Sequence, residues 1–258
     1  MPGPEPPRPT VPPATLPPNP TPGGPARRLL GLFGLAGIAF VRMAVAADEA
    51  PGGLPGNGGL HLEGRWASDY VFRGINLGSG LGAGGVDWTQ PLGQSTLLDV
   101  GAKYLVAGGY EETQAAVALT RSFGAFRAAL GYRFYGLDGG DRNEVGLGLG
   151  TVLGGFDLGL AYCYDARFDG HFVEWVGQRE WQLSGPVAVR ASVGLSASSH
   201  YYHSSSGFHN AHLRIDLPVS LGDSVAVTPW VGVSLALDAI DDAAEDTLAA
   251  GLQLEVSF

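Results

Sequence analysis

The last twelve residues, 247–258, alternate between apolar and polar or small side chains. The apolar positions end in Leu254, Val256 and Phe258, while the opposite positions include Glu255. Side chains of a β-strand point to alternate faces, so this segment has one apolar face and one polar face. Its length suits a tilted strand that crosses a bilayer, which needs roughly 9–11 residues. The pattern predicts a terminal membrane-spanning strand, and the alternative is an edge strand of a soluble sandwich.

The composition also favours a barrel in a membrane. Glycine accounts for 41 of 258 residues, well above the usual ~7%, and only 16% of residues are charged, against about 25% in average domains. Only half of each barrel strand faces lipid, so overall hydrophobicity stays modest. Beyond the N-terminal region no run of 18 apolar residues occurs, which excludes a spanning helix there. The formal charge of −10 argues against a nucleic-acid partner.

The N-terminal segment predicts export rather than part of the fold. Residues 1–28 form a Pro-rich leader with a basic flank, which cannot build a core. Residues 29–47 combine a short apolar run with small residues, the hydrophobic and cleavage regions of a signal peptide. A membrane anchor helix is the alternative, but the uninterrupted apolar run is too short for one. Residues 48–58 predict a flexible lead-in to an outer-membrane domain at 59–258.

Twelve segments of that domain have the alternation and composition of strands. They lie at 60–70, 85–91, 96–106, 110–121, 125–135, 142–152, 155–165, 171–183, 186–196, 208–219, 223–236 and 246–258. Short turns between them alternate with longer connections at 71–84, 136–141, 166–170, 197–207 and 237–245, with a short exception at 108–109. An even strand number with short turns on one side is typical of outer-membrane barrels. We therefore predict an all-β fold, a single closed antiparallel transmembrane β-barrel of about twelve strands.

Aromatic residues occur near both ends of the predicted strands, as in the two aromatic girdles of membrane barrels. The turn-side set is Phe123, Phe126, Phe156, Trp181 and Phe258. The loop-side set is Tyr70, Tyr110, Phe134, Tyr164 and Trp175. This arrangement further favours a barrel over a soluble sandwich.

The register opposite the apolar one is expected to line the lumen, because each charge on the lipid face costs ~2–4 kcal/mol at the midplane. Its charged and amide residues are Glu63, Arg65, Asp99, Lys103, Glu112, Gln114, Arg127, Arg133, Glu144, Asp157, Glu174, Gln178, Glu180, Arg190, Arg214, Asp216 and Glu255. Many glycine and alanine residues lie between them, which favours a narrow water-filled lumen over one closed by ion pairs. Acidic residues outnumber basic ones in this set, so the sequence predicts a weak preference for cations.

One stretch near the predicted mature N-terminus forms a motif. It consists of Ser68, Asp69, Tyr70, Val71, Phe72, Arg73, Gly74 and Ile75. This motif resembles the TorF family of porin-like Gram-negative outer-membrane proteins. The resemblance implies an outer-membrane barrel and a pore, without naming a substrate. We expect a structural role for the motif, with an internal Asp69–Arg73 pair, rather than substrate binding.

The end of the chain adds a second resemblance. A final strand that closes on Phe258 is similar to the terminal strand of outer-membrane barrels, which the barrel-assembly machinery reads. The expected partners are therefore outer-membrane lipid, this machinery, and small solutes or ions.

Catalytic and metal sites are weakly signalled. The Ser/His-rich loop at 198–206, with His200 and His203, has no spacing that fits a hydrolase, and His209 and His212 are expected on opposite faces of one strand. A single cysteine excludes a disulfide framework and a cysteine zinc site. The sequence thus predicts no enzyme, cofactor or metal, and a porin that passes small polar solutes or ions. The alternatives are a closed structural or adhesive barrel and, less favoured, a lipid-active enzyme at the rim.

Overall fold

The computed structural model describes residues 58–258, except 138, 202–204, 241 and 243. The predicted leader, signal peptide and most of the lead-in lie outside the described residues. The described part contains no helix long and apolar enough to cross a membrane. Its strands are β1 (Gly59–Phe72), β2 (Ile75–Pro91), β3 (Thr96–Ala107), β4 (Tyr110–Phe123), β5 (Phe126–Leu137), β6 (Arg142–Leu153), β7 (Phe156–Asp165), β8 (Gly170–Ser184), β9 (Val187–Ser199), β10 (Ser206–Asp216), β11 (Val219–Ser220), β12 (Val225–Ala236) and β13 (Thr247–Ser257).

Twelve long antiparallel strands close into a ring. Strands β1 to β10 pair in chain order, β10 pairs with β12, β12 with β13, and β13 returns to β1. At this seam His61 lies opposite Ser257 and Ala67 lies opposite Gly251. The two-residue β11 pairs with β9 and β12 beside the ring. The predicted closed antiparallel barrel of about twelve strands is confirmed, with one short strand added.

Both chain ends of the barrel lie at one end of the ring, which we call the turn end. Its connections are short, as at Gly154–Gly155, where both φ values are positive (62° and 78°). Two consecutive residues with positive φ form the hairpin turn whose twist matches the flanking strands, and glycine adopts it without steric cost. The opposite end, the loop end, carries the longest connections, including residues 200–205 and 237–246.

The predicted loop at 71–84 was wrong. The chain reverses at Arg73–Gly74 and continues as β2, whose glycine-rich half pairs with β1. Gly85, for example, lies opposite both Glu63 of β1 and Lys103 of β3. A side chain at Gly85 would collide with Glu63, since a Cβ there would lie 2.9 Å from its Cγ. Glycine therefore leaves space for the side chains of the neighbouring strands. The many glycines give this half of β2 the composition of a loop, although it is a strand.

Burial in the barrel is the reverse of a soluble protein. Leu130, Leu147 and Leu149 expose 54%, 52% and 57% of their surface on the outside. Arg133 and Glu144, by contrast, are almost completely buried inside. Apolar side chains outside and polar side chains inside are the arrangement of a barrel that crosses lipid.

The weakest predicted strand, 171–183, forms the continuous strand β8. Its irregular residue, Arg179, places its guanidinium carbon 4.9 Å from the ring centre of Phe156 and 5.6 Å from that of Trp181. These aromatic side chains are exposed near the turn end. Cation–π contact at the level of an aromatic girdle explains why an arginine is tolerated on the apolar face.

We expect the stability cost of an outward arginine to depend on its depth in the membrane. Leu147→Arg, in the middle of β6, should destabilise the folded barrel by about 2–4 kcal/mol, because the charge would face the hydrocarbon core. Leu153→Arg lies on the same strand and face, but at its turn end, and should cost only about 0–1 kcal/mol. Unfolding free energies from urea titration in lipid vesicles check this, and equal costs would contradict the assigned lipid face.

Candidate functional site in the barrel interior

The inner register encloses the charged residues that the sequence singled out. Those that are buried are Arg65, Glu112, Arg127, Arg133, Glu144, Asp157, Glu174, Arg214 and Asp216. Those that are partly buried are Glu63, Asp99, Lys103, Arg190 and Glu255, whereas Glu180 is exposed near the turn end. Most of these side chains form ion pairs or hydrogen bonds with one another, so the interior is a set of polar clusters.

Small clusters occupy the part of the interior towards the turn end. Glu63 lies between two cations, with its carboxylate oxygens 2.6 Å from Arg65 and 2.5 Å from Lys103. Two further ion pairs join different strands: Arg127 of β5 with Asp157 of β7 at 3.3 Å, and Arg190 of β9 with Glu180 of β8 at 2.6 Å. Other contacts in this part of the interior are Arg214 Nε donating to Asp216 at 2.7 Å, Thr89 donating to Asp99 at 2.8 Å, and Gln253 donating to Glu255 at 2.6 Å.

The largest cluster lies at the loop end, and we call it the mouth cluster: Arg73, Arg142, Glu144, Asp165 and Tyr201. Two nitrogens of Arg73 donate to the two oxygens of Glu144 at 2.8 and 3.0 Å. Arg142 donates to Asp165 at 2.8 Å through Nε, to Glu144 at 3.1 Å and to the Tyr201 hydroxyl at 2.8 Å. The Tyr201 hydroxyl in turn donates to Glu144. Because a bidentate arginine–carboxylate pair fixes both partners in direction, these contacts hold the cluster in one geometry.

Aromatic rings surround the Arg73 guanidinium. Its central carbon lies 4.5 Å from the ring centre of Phe172, 4.8 Å from that of Tyr201 and 5.1 Å from that of Phe72. A planar guanidinium is weakly hydrated and stacks on aromatic faces, which lysine does less well. The site therefore selects arginine for both its shape and its charge.

The hairpin between β1 and β2 carries Arg73 across the mouth of the barrel. Arg73 and Gly74 both have positive φ, 49° and 85°, and form the two-residue turn. A Cβ on Gly74 would lie 2.6 Å from the Cβ of Asn210, which belongs to β10. Only glycine can bring the turn this close to β10. The turn thereby delivers the Arg73 side chain to Glu144, on the far side of the ring.

A second group lies beside the mouth cluster. The Glu112 carboxylate accepts hydrogen bonds from Tyr70, Tyr110 and Gln114. The apolar part of the group consists of Tyr70, Phe72, Leu81, Leu105, Ala107 and Tyr135. Together with the mouth cluster, this group fills much of the interior at the loop end.

Two expectations for the sequence motif were wrong. Arg73 pairs with Glu144, while Asp69 accepts a hydrogen bond from Asn76 at 3.2 Å, so no Asp69–Arg73 pair forms. Tyr70 is completely buried inside rather than part of an outer girdle. The reason is an irregular register near Tyr70, where strict alternation fails.

Several residues of the interior were not singled out from the sequence. Arg142 and Tyr135 share a face with the predicted Glu144 and Arg133, since each lies two positions away on the same strand. The two-residue period could therefore have identified them. Tyr201 lies in a loop, and no local pattern shows that it reaches Glu144.

The histidines were also misplaced. A register shift between Phe208 and Ala211 turns His209 inward, where its Nδ1 lies 2.7 Å from the Ser198 hydroxyl. His212 is also interior, so the expected opposite faces were wrong. Both side chains of the Ser198–His209 contact are buried and lie near the loop end of the barrel. His203 lies outside the described residues, and the part of the chain that is described holds no group of three metal-ligating side chains.

Comparisons with known proteins identify the fold. A scan of protein families finds no match, and no curated protein matches the chain. Among solved structures, the KdgM porin matches with a TM-score of 0.52 and 10% identity, over 77% of this chain and 99% of that one. The NanC porin matches with a TM-score of 0.50 and 12% identity, over 77% and 98%. An outer membrane channel from Pseudomonas putida F1 matches with a TM-score of 0.54 and 8% identity, over 82% and 99%. At these identities the likeness shows the shared fold, that of outer-membrane β-barrel channels.

We expect the mouth cluster to contribute strongly to stability. Glu144→Gln should destabilise the barrel by about 3–5 kcal/mol, because it leaves buried arginines without their shared carboxylate. Glu180→Gln, which removes the carboxylate of an exposed ion pair, should cost at most about 1 kcal/mol. Urea unfolding of both variants checks the difference, and a negligible effect of Glu144→Gln would contradict the geometry of the cluster.

Proposed function

We propose that this protein is an outer-membrane channel for passive diffusion of small polar solutes or ions. One observation carries the proposal: a closed ring of strands has an apolar outer face and a charged inner face. Apolar solutes gain nothing from such an interior, whereas polar solutes and ions find charged and hydrogen-bonding groups along it. The shared fold with solved outer-membrane channels supports the same function.

The mouth cluster limits the size of the solute. Side chains of Arg73 and Glu144 meet across the interior and are almost completely buried. The small inner residues were expected to leave open space in the lumen, but large side chains on neighbouring strands fill part of that space. A Cβ on Gly194 would lie 2.2 Å from the His212 ring, and one on Gly251 would lie 2.7 Å from the Trp230 ring. A narrow path for small solutes follows, rather than a wide aqueous pore.

The charge of the interior favours cations or neutral solutes over polyanions. Adding Arg73, Arg142 and Asp165 to the predicted inner set leaves acidic residues in excess. The KdgM porin has been solved in complex with disordered oligogalacturonate, which is a polyanion. This chain shares that fold, but its inner acidic excess argues for a different solute.

A closed structural or adhesive barrel is the second candidate. The observation that favours it is the mouth cluster itself, whose ion pairs and aromatic rings occupy the loop end. In that case the outer loops would contact partners and the interior would pass nothing. A lipid-active enzyme is not proposed, because the Ser198–His209 contact is enclosed by the barrel.

The proposal includes several features that rest on sequence alone. We propose export through the signal peptide at 29–47, insertion into the outer-membrane lipid by the barrel-assembly machinery through the strand ending in Phe258, and membership in the TorF family through the motif at 68–75. Lumen-lining roles for the inner charges belong to the same proposal.

Single-channel recording in a planar bilayer tests the channel. We expect the folded wild type to give small discrete steps, and Arg73→Ser to give larger ones, because the side chain that spans the mouth is removed. Glu144 keeps Arg142 as a partner in this variant, so the barrel should still fold. Arg190→Ser, at the turn end, is the control and should leave step size nearly unchanged. Silent bilayers for both wild type and Arg73→Ser, with folding shown by heat-modifiable gel mobility, would instead support the closed barrel.

Ion selectivity gives an independent test. We expect reversal potentials to show a weak preference for cations, because acidic side chains dominate the inner face. Arg127→Gln should strengthen this preference and Asp157→Asn should weaken it, since the two form one interior ion pair. Anion preference in the wild type would contradict the assigned inner register.

A further inference from the structure

Arg179 is a cation on the outer face of the barrel. The carboxylates that neighbour it in the sheet, Asp157 and Glu180, point inward and pair with Arg127 and Arg190. No ion pair or side-chain hydrogen bond joins Arg179 to any residue that the structure describes. Its guanidinium nitrogens are not among the buried and unbonded nitrogens of these residues, so they reach the barrel surface. Arg179 therefore has hydrogen-bond donors that a ligand outside the barrel can contact.

The groups beside Arg179 hold it without using these donors. Its guanidinium carbon lies 4.9 Å from the ring centre of Phe156 and 5.6 Å from that of Trp181. The turn between β6 and β7 is also close, since a Cβ on Gly155 would lie 3.7 Å from the same carbon. A guanidinium can contact aromatic rings through its faces while its edge of N–H groups binds a phosphate in a bidentate manner. The arrangement is therefore suited to a phosphate group.

The surroundings of Arg179 indicate that this phosphate belongs to a lipid. Leu153 pairs with Phe156 in the sheet, and both side chains are exposed on the outside. Leu183 and Trp181, also exposed, continue the apolar surface along β8. Short turns lie at one membrane interface, and aromatic belts mark the level of the lipid headgroups. A free phosphate would meet apolar surface around the guanidinium, whereas a phospholipid also supplies acyl chains that cover it.

We propose that Arg179 binds the phosphate of an anionic phospholipid in the leaflet at the turn end. Phe156 and Trp181 form the sides of the site, and the acyl chains lie along Leu153 and Leu183. A zwitterionic headgroup is less suited, because its ammonium group would lie beside an arginine, and no described carboxylate on this face could pair with it. The proposal requires that the barrel crosses a bilayer, but it does not require that the barrel conducts ions.

Arg121 provides a matched control. It also faces outward near the turn end and forms no ion pair with a described residue, but it contacts one aromatic ring, that of Phe123 at 5.3 Å. It lies on β4, and three strands separate β4 from β8. At ~4.8 Å per strand, the two arginines are roughly 19 Å apart. They cannot bind the same headgroup, although each adds one positive charge to the outer surface.

Trp181 serves as the reporter of this site. Bromine on the acyl chains of a lipid quenches a tryptophan that the lipid contacts, so quenching measures which lipid lies beside Trp181. The other outward tryptophans, Trp66, Trp88 and Trp175, are replaced with phenylalanine. Trp230 is buried inside the barrel and contributes a constant signal that lipid does not quench.

The experiment folds this barrel into vesicles that contain phosphatidylcholine and phosphatidylglycerol, with bromine on one lipid at a time. We expect phosphatidylglycerol to be preferred beside Trp181 by about fivefold, the effect of one arginine near an anionic lipid headgroup. Arg179→Gln should reduce the preference to about one. Arg121→Gln should leave it unchanged, because it removes the same charge from a distant part of the surface. Inorganic phosphate, added in excess over the lipid, should not alter the quenching.

Four results would overturn the proposal. These are no preference in the wild type, an unchanged preference in Arg179→Gln, an equal loss in Arg121→Gln, which would indicate general surface charge, and displacement of the lipid by inorganic phosphate. Heat-modifiable mobility shows that each variant is folded. Because the readout needs no ion current, a barrel that is silent in planar bilayers can still show the lipid preference, and a conducting barrel can lack it.

Discussion

The closed ring of backbone hydrogen bonds is the constraint on which everything else depends. A strand in lipid has no water to bond its N–H and C=O groups, so each strand must pair on both sides. The pairing of β1 with β13 completes the ring and removes the last edges. Once the ring is closed, alternate side chains of every strand point into an enclosed space. The polar residues of the chain are therefore collected inside by geometry, before any function is considered.

Charges enclosed in this way have to match one another. Glu144 illustrates the solution, because it is shared by Arg73, Arg142, Tyr135 and Tyr201 and is completely buried. Arginine suits such a site since its fixed fork can bind a carboxylate while its faces contact aromatic rings. Glu174 is the exception, because it is buried and its ion-pair partner, His212 Nδ1, lies 3.7 Å away. The same low dielectric that rewards the matched cluster penalises the unmatched group.

The barrel could be predicted from sequence because its signal is local. Alternation in 247–258 and in most of the eleven other segments, together with the succession of short turns and longer connections, predicted the ring. The signal failed where local composition misleads, as in the glycine-rich half of β2. It also failed where a register shift breaks the alternation, near Tyr70 and near His209. The mouth cluster was beyond local reasoning, because Arg73 and Glu144 are 71 residues apart and meet only after the sheet curls. The local sequence around Arg73 or around Glu144 does not indicate that the two side chains meet.

The reach of Arg73 has a mechanical consequence. Its hairpin stands beside the seam of the ring, and its partner Glu144 belongs to β6, five strands further round a ring of twelve. In a barrel whose strands are hydrogen-bonded only to their neighbours, the cross-section can flatten into an oval without breaking any of these hydrogen bonds. The Arg73–Glu144 ion pair crosses the interior close to the barrel's diameter, and it fixes the distance between opposite walls. The same ion pair therefore has two effects: it keeps the cross-section of the barrel round, and it blocks the opening at the loop end.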